Sequence, residues 1–159
     1  MQIAKKVTLC YNLIYNMGEK EADSMAEENA AFPTQIEIDK GIEACGESAE
    51  LYQNILMVFI NEGRKKLPLI KKLYKEEQWQ DYITAVHGLK SSAASIGAME
   101  LSAHAKEMEF AGKEDNIGLI HEKTDVMLNE YLTLLQKLTA FCKDKSEKEQ
   151  IEFFERFGC

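Results

Sequence analysis

The stretch YITAVHGLKSSAASIGA, residues 82–98, contains a histidine, a lysine three residues later and a run of very small side chains. A neutral imidazole is a good nucleophile near pH 7, since the unperturbed pKa of histidine is about 6.5. Phosphorylation of a ring nitrogen of His87 would give a reactive carrier, because the P–N bond is labile. The ammonium group of Lys90 would attract the phosphoryl oxygens during transfer. These residue types at this spacing predict a phosphoryl-accepting histidine that another protein contacts.

Helical periodicity places His87 beside the buried face of its helix. The predicted core stripe consists of Tyr82, Val86, Leu89, Ala93 and Ile96. A second stripe on the same helix consists of Ile83, His87, Lys90, Ser91 and Ala94. The imidazole should therefore be half exposed, and the small neighbours Gly88, Ser91 and Ala94 leave room for a partner's active site to close onto the ring.

The rest of the chain from residue 35 onward predicts helices rather than strands, because no segment alternates with the period of two that marks a strand. Short connections are expected near Gly63, Gln78, Gly97 and residues 113–116, and short connections make neighbouring helices antiparallel. The sequence thus predicts an all-α fold: an antiparallel up-down four-helix bundle with an accessory N-terminal helix or arm.

Two local expectations in this bundle concern residues 47–75. We expect Gly63 to end one helix and Pro68 to lie in the first turn of the next, because glycine is common after helix ends and proline at helix starts. In the segment before Gly63, the residues expected to face one side, toward the core, are Leu51, Ile55, Val58 and Phe59.

Composition shifts divide the chain into three parts. Residues 1–34 combine a mildly amphipathic segment with the acidic stretch GEKEADSMAEENAAFPT, which indicates an accessory helix followed by a linker. Residues 35–142 hold the dense helical signals of the bundle. Residues 143–159 form a tail that is first charged and then aromatic, compatible with a continued helix or with a separate amphipathic piece.

Charge, cysteine usage and hydropathy exclude several classes of protein. The formal net charge of -8 argues against a nucleic-acid binder, which needs a basic surface. The 4 cysteines contain no CxxC pair, so we expect reduced thiols in a cytosolic compartment. No stretch approaches the ~20 apolar residues of a membrane span, and Lys5 and Lys6 are not followed by a signal-peptide cleavage site. The expected location is the cytoplasm.

The remaining histidines, His104 and His121, raise the question of a metal site together with His87. Metal sites in helical bundles commonly use Glu-x-x-His pairs on facing helices. No Glu-x-x-His occurs in this chain, so the sequence does not favour a metal. Four lysines form a basic face on the segment before the His87 helix, which is either a solvated surface or an aid in steering an acidic partner: Lys65, Lys66, Lys71 and Lys72.

The segment HGLKSSAASIGAMELSAHAKEMEFAG closely resembles the histidine-containing phosphotransfer (HPt) domain of two-component phosphorelay systems. The family signature runs His-x-Leu-Lys-Gly-Ser/Ala, followed by a Gly-Ala pair and a leucine on the next helix. The matching positions are His87, Leu89, Lys90, Gly97, Ala98 and Leu101. Ser91 departs from the signature, where glycine is usual. The resemblance extends from about Glu37 to Leu138 and includes the earlier pattern of Leu51, Tyr52, Leu56 and Phe59.

The resemblance implies a four-helix bundle whose solvent-facing histidine, here His87, relays a phosphoryl group between aspartates of receiver domains. The receiver would supply Mg²⁺, so no cofactor is expected in this chain. Some members place a glutamate of the following helix against the imidazole, and Glu109 occupies that place. Its carboxylate would accept the Nδ1 proton, which predicts phosphorylation at Nε2. Lys90 would stabilise phosphoryl charge, and partner contacts are expected at Ile83, Gly88, Ser91 and Ala94.

Two other functions are compatible with the same residues. One is a helical protein-interaction module whose histidine is not phosphorylated. The other is an HPt-type substrate domain of a larger histidine kinase, which would receive phosphate from a dedicated ATP-binding domain. The chain contains no P-loop and no Gly-rich nucleotide box. We therefore expect a phosphotransfer intermediate rather than a complete kinase, although the parent protein could be a hybrid histidine kinase.

Overall fold

The computed structural model describes residues 33–157, with side chains described through Phe141 except at Ala49. Within that range the chain forms helices and no strands, which confirms the all-α prediction. The accessory helix predicted at residues 1–17 lies outside the described residues, as does the predicted linker up to residue 32. The five helices are α1 (Ile38–Ala44), α2 (Ala49–Lys75), α3 (Trp79–Ser95), α4 (Met99–Lys113) and α5 (Ile117–Phe157).

The chain divides into two compact units. Residues 34–135 form one unit, which contains α1 to α4 and the first half of α5. The other unit comprises residues 1–33 and 136–159, and its described part is Pro33 and the continuation of α5. The backbone of the charged tail is therefore helical as far as Phe157. The domain boundaries near residues 34 and 142 stay predictions.

Contacts inside residues 34–135 show that α2 to α5 run alternately up and down. The end of α2 meets the starts of α3 and α5, where the ring of Tyr74 contacts those of Trp79 and His121. Further along, Ser102 near the start of α4 bonds to Lys90 near the end of α3. At second points along these pairs, Gly112 lies against Ile83 and Gly63 lies against Leu135, so the neighbours run antiparallel, which confirms the predicted bundle topology.

The helix that carries His87 buries the face that its periodicity predicts. All five residues of the predicted core stripe are completely buried. The phenol of Tyr82 remains satisfied in this apolar setting, because its hydroxyl shares a 2.6 Å hydrogen bond with Thr124 of α5. A buried hydroxyl without a partner would destabilise the fold. This anchoring fixes the rotation of α3 and so determines which of its side chains face outward.

The prediction that Gly63 ends a helix is wrong, because α2 continues through it without interruption. A Cβ at position 63 would overlap the side chain of Leu135, so this glycine permits close approach between α2 and α5. Pro68 accordingly lies inside α2 instead of in a first turn. It lies on the exposed side, where water can bind the carbonyl group that loses its N–H donor.

The expected core face of α2 is also partly wrong. Phe59 is buried, whereas Leu51 and Val58 are exposed. The buried face is rotated from the expected one and consists of Tyr52, Leu56, Phe59, Ile60 and Gly63. The six consecutive apolar residues at positions 55–60 surround the helix in that segment, so periodicity there left the rotation of α2 ambiguous.

None of the helices within the described residues has the length and apolar composition that a membrane span requires.

Candidate functional site

The imidazole of His87 projects from α3 at the rim of the bundle. Its side chain is 57% exposed, whereas the carboxylate that faces it, Glu109 of α4, is only 7% exposed. The His87 Nδ1 and Glu109 Oε1 atoms are 2.9 Å apart. One ring nitrogen thus points into the interface between two helices, and the geometry leaves the rest of the ring toward solvent.

Close packing between α3 and α4 brings these two side chains together. The hydroxyl of Ser102 donates to the backbone carbonyl of Lys90 over 2.9 Å. At the other end of the contact, a Cβ at Gly112 would overlap the side chain of Ile83, so glycine is needed there for the helices to approach. His87 and Glu109 lie between these two fixed points. Their separation is therefore determined by helix packing rather than by side-chain flexibility.

Three donors surround the carboxylate of Glu109. Lys90 Nζ lies 2.7 Å from Oε2, and Lys113 Nζ lies 2.5 Å from Oε1, the oxygen that also faces His87. Hydrogen bonds from Lys113, then Lys90 and then His87 lower the pKa of Glu109 to about 2. Glu109 is consequently ionised at neutral pH and acts only as a hydrogen-bond acceptor.

The ionised carboxylate determines the tautomer of His87. Because Glu109 has no proton to donate, the 2.9 Å contact requires a proton on Nδ1. A protonated Nδ1 has no lone pair that could accept a hydrogen bond from Lys90 Nζ, which lies 3.4 Å away. Lys90 instead donates to Glu109. In the neutral ring the available lone pair is on Nε2, the nitrogen that can attack an electrophile.

The residues predicted to admit a partner are exposed to different degrees. Ser91 is exposed, and its hydroxyl donates to the carbonyl of His87 at 3.3 Å. Gly88 and Ala94 are half-buried. Ile83 is also half-buried, because part of its side chain packs against Gly112. The structure thus brings these four candidate residues to the same helix as His87, with Ser91 the most accessible.

Comparison with known families agrees with this geometry. The family model of the Hpt domain matches residues 54–141, more than half of the chain. The chain belongs to the Hpt domain family. No curated protein and no solved structure gave a match. The matched span includes the end of the bundle that carries both His87 and Glu109.

Membership assigns this Hpt domain to phosphotransfer in two-component signalling. Hpt domains interact with receiver domains in phosphorelays, so a receiver is the class of partner to which the family points. The helical-bundle and phosphorelay predictions are thereby confirmed at the level of the family. Which histidine accepts the phosphoryl group is a finer question, and the geometry around each histidine bears on it.

The other two histidines of the Hpt domain have different surroundings. His104 Nδ1 lies 2.5 Å from Glu130 Oε2, and the His104 side chain is 39% exposed. His121 faces the hydroxyl of Tyr74 and contacts the ring of Trp79. Neither histidine has a lysine bonded to its partner, in the part of the chain that the structure describes. The ammonium groups beside Glu109 distinguish His87.

Sequence reasoning missed Lys113, although the signal was available. Lys113 follows Glu109 by four residues on α4, and side chains at this spacing meet on a helix surface. It also missed Phe110, which is 64% exposed beside a groove of about 520 Å³ that Lys90 and Glu109 help to line. The groove therefore shares Lys90 and Glu109 with the surroundings of His87.

The lowered pKa of Glu109 predicts a defined acid sensitivity of the fold. The stabilisation from the ionised carboxylate is fully present above its ordinary pKa of 4.5 and is lost as pH falls through about 2. We expect the free energy of unfolding of wild type to fall more than that of Glu109→Gln between these pH values. Chemical denaturation across this pH range measures the difference, and parallel curves would contradict the assigned ionisation.

Proposed function

We propose that His87 accepts a phosphoryl group at Nε2 from the aspartyl phosphate of one receiver domain and passes it to the aspartate of another. The observation that carries this proposal is the 2.9 Å contact between Nδ1 and the ionised Glu109, which leaves Nε2 of a mostly exposed ring as the nucleophile. This protein would act in the cytoplasm, where receiver domains encounter it.

The transfer step follows from the tautomer. The Nε2 lone pair attacks the phosphorus of the aspartyl phosphate, a P–N bond forms, and the P–O bond to the aspartate breaks with its electron pair passing to the departing carboxylate. The ring keeps its Nδ1 proton and becomes positively charged. Glu109 stabilises that charge through the existing hydrogen bond, which is stronger for an ionised donor and acceptor. The return transfer runs through the same steps in reverse.

Lys90 would provide the second electrostatic contribution. Its side chain emerges from α3 one turn after His87 and is already at the ring, 3.4 Å from Nδ1. A lysine has three rotatable donors on a flexible stem, so it can turn from a carboxylate to a phosphoryl oxygen. Mg²⁺ and the acidic residues that bind it would come from the receiver, and we propose no cofactor held by this chain.

The experiment is a transfer from a receiver domain that carries labelled acyl phosphate in the presence of Mg²⁺. The expected label on this protein is acid-labile and alkali-stable, as a phosphohistidine should be, and it should move on to a second, unlabelled receiver. Tight receiver binding without label would instead identify a protein-interaction module. Label that forms only with an ATP-binding kinase domain would identify a kinase substrate domain.

Access to the ring supplies a separate prediction. In Ser91→Trp the indole would occupy the surface one turn from His87 and hold the receiver away, so we expect transfer to slow by about a hundredfold or more. Ser91→Ala removes the hydroxyl but keeps the space, and its rate should match wild type. Because Ser91 is exposed, neither change should alter the melting temperature much. Unchanged transfer by Ser91→Trp would overturn the docking argument.

A further inference from the structure

Glu109 is shared by two lysines that approach it from different helices. Lys90 of α3 binds Oε2. Lys113, which lies on α4 like Glu109, binds Oε1, so each oxygen has one ammonium partner. The Oε1 atom additionally accepts a hydrogen bond from Nδ1–H of His87. One ammonium group is enough to balance the single charge of a carboxylate. The second lysine therefore calls for a separate explanation.

The location of Lys90 suggests why a second lysine is present. Its Nζ lies on the Nδ1 side of the imidazole, whereas a phosphoryl group would bind Nε2, the nitrogen on the far side of the ring from Glu109. As Lys90 turns toward phosphoryl oxygens on the Nε2 side, its bond to Oε2 weakens. The ion pair seen in the structure and the contact needed in the reaction thus compete for this lysine.

A weaker bond to Lys90 would destabilise the Glu109 carboxylate if it had no other charged partner. The Glu109 side chain is 7% exposed, and a buried charge that loses its partner is strongly destabilising. Lys113 avoids this outcome, since its stem starts one turn away on the same helix and its contact with Oε1 does not involve the reacting side of the ring. Its side chain is 58% exposed, so it can stay paired without further desolvation.

We infer that Lys113 is a positioning residue, which holds Glu109 ionised against His87 Nδ1 while Lys90 turns from the carboxylate toward the phosphoryl group. The inference rests on the proposed function of His87. Lys113 forms no bond to phosphorus and takes no proton. During the attack by Nε2, the P–O bond of the donor breaks as described, and Lys113 acts through Glu109 alone.

A double-mutant cycle tests this role in the full chain, with transfer rates measured at saturating receiver. Lys113→Met should slow transfer by about tenfold, the change expected for one lost hydrogen bond to a charged group. The neutral amide oxygen in Glu109→Gln can still accept the hydrogen bond from Nδ1–H, but it carries no charge that a lysine would have to balance. In that background Lys113→Met should change the rate by less than about twofold. Lys113→Arg should restore most of the wild-type rate.

Lys106 provides the matched control. It is an exposed lysine seven residues earlier on α4, and it lines the same groove without an ion pair to Glu109. Lys106→Met should leave the rate at saturating receiver unchanged. An equal loss in Lys106→Met would mean general steering by charge, and a tenfold loss that persists in Glu109→Gln would mean direct contact with the phosphoryl group. No loss in either background would also overturn the inference.

The ionisation of Glu109 gives a readout that needs no phosphoryl chemistry. In the free protein, Lys113 is the largest cause of the lowered pKa of Glu109. Titration of the Glu109 carboxyl carbon by NMR should therefore show an upward shift in Lys113→Met and no shift in Lys106→Met. An unchanged midpoint in Lys113→Met would refute the role of Lys113. If the Glu109 midpoint shifts in Lys113→Met but the wild-type protein takes up no phosphoryl label, the relay function is refuted and the effect of Lys113 on Glu109 stands.

Discussion

His87→Gln should take up no phosphoryl label, whereas His104→Gln should be labelled like wild type. The two histidines are a matched pair, because each places Nδ1 against a glutamate of the neighbouring helix. They differ in what surrounds that glutamate. Glu109 is bonded by two lysines, while the lysine in the groove beside His104, Lys123, is paired with Glu107 and not with Glu130. An ammonium group that is held by another carboxylate is less available to stabilise phosphoryl charge.

Glutamine is a suitable replacement at both positions, since its amide keeps a polar group beside the glutamate without offering a nucleophile. Transfer is measured with labelled receiver acyl phosphate, and circular dichroism verifies that both variants stay helical. The expected loss in His87→Gln is complete, because no other group can replace the nucleophile. Residual label in His87→Gln that disappears in the double variant would assign the phosphoryl group to His104. Loss of label in both single variants would point to a structural effect.

The His87 helix could be read from the sequence because its apolar and small residues form one continuous stripe. Tyr82, Val86, Leu89, Ala93 and Ile96 are all fully buried, so their spacing fixed the rotation of α3 and with it the exposure of His87. Helix α2 gave no such answer. Residues 55–60 are apolar without a break and so occupy every side of the helix there, and Leu51 and Val58 proved to be exposed.

Glycines showed the limit of local patterns most clearly. Gly63 and Gly97 each follow a segment with helical periodicity, yet only Gly97 lies at the end of a helix. Gly97 has a positive φ of 81°, which favours glycine, whereas Gly63 is helical and is needed because Leu135 lies against it. The partner on another helix, unknown from sequence, decides between a helix end and a close contact.

The partners of Glu109 illustrate the same point at the candidate site. The resemblance to HPt domains indicated Glu109, and its contact with His87 agrees with that expectation. The convergence of Lys90 and Lys113 on one carboxylate depends on the distance between α3 and α4, which Gly112 and Ile83 set. Helical spacing alone shows that Lys113 can reach Glu109, but not that Lys90 will reach it from another helix.

Gly97→Ala should cause the largest loss of stability among the substitutions considered. The φ of 81° at this residue strains any side chain, and an added Cβ would overlap the backbone carbonyl of Glu37. That carbonyl belongs to a tight connection, since the Glu37 N–H donates to the carbonyl of Gly97 at 2.9 Å. Backbone strain and overpacking together should lower the free energy of unfolding by about 3 kcal/mol. Thermal and denaturant unfolding measure this change.

Gly46→Ala separates the two contributions. Gly46 also has a positive φ, 63°, but a Cβ there would meet no atom within 4 Å. Its replacement should therefore cost only the strain, about 1 kcal/mol. The difference between the variants measures how firmly the start of α1 is held against the turn between α3 and α4. Equal losses would mean that the backbone at Glu37 moves to make room for the new Cβ. The end of α3 would then not be held rigidly by the segment before α1.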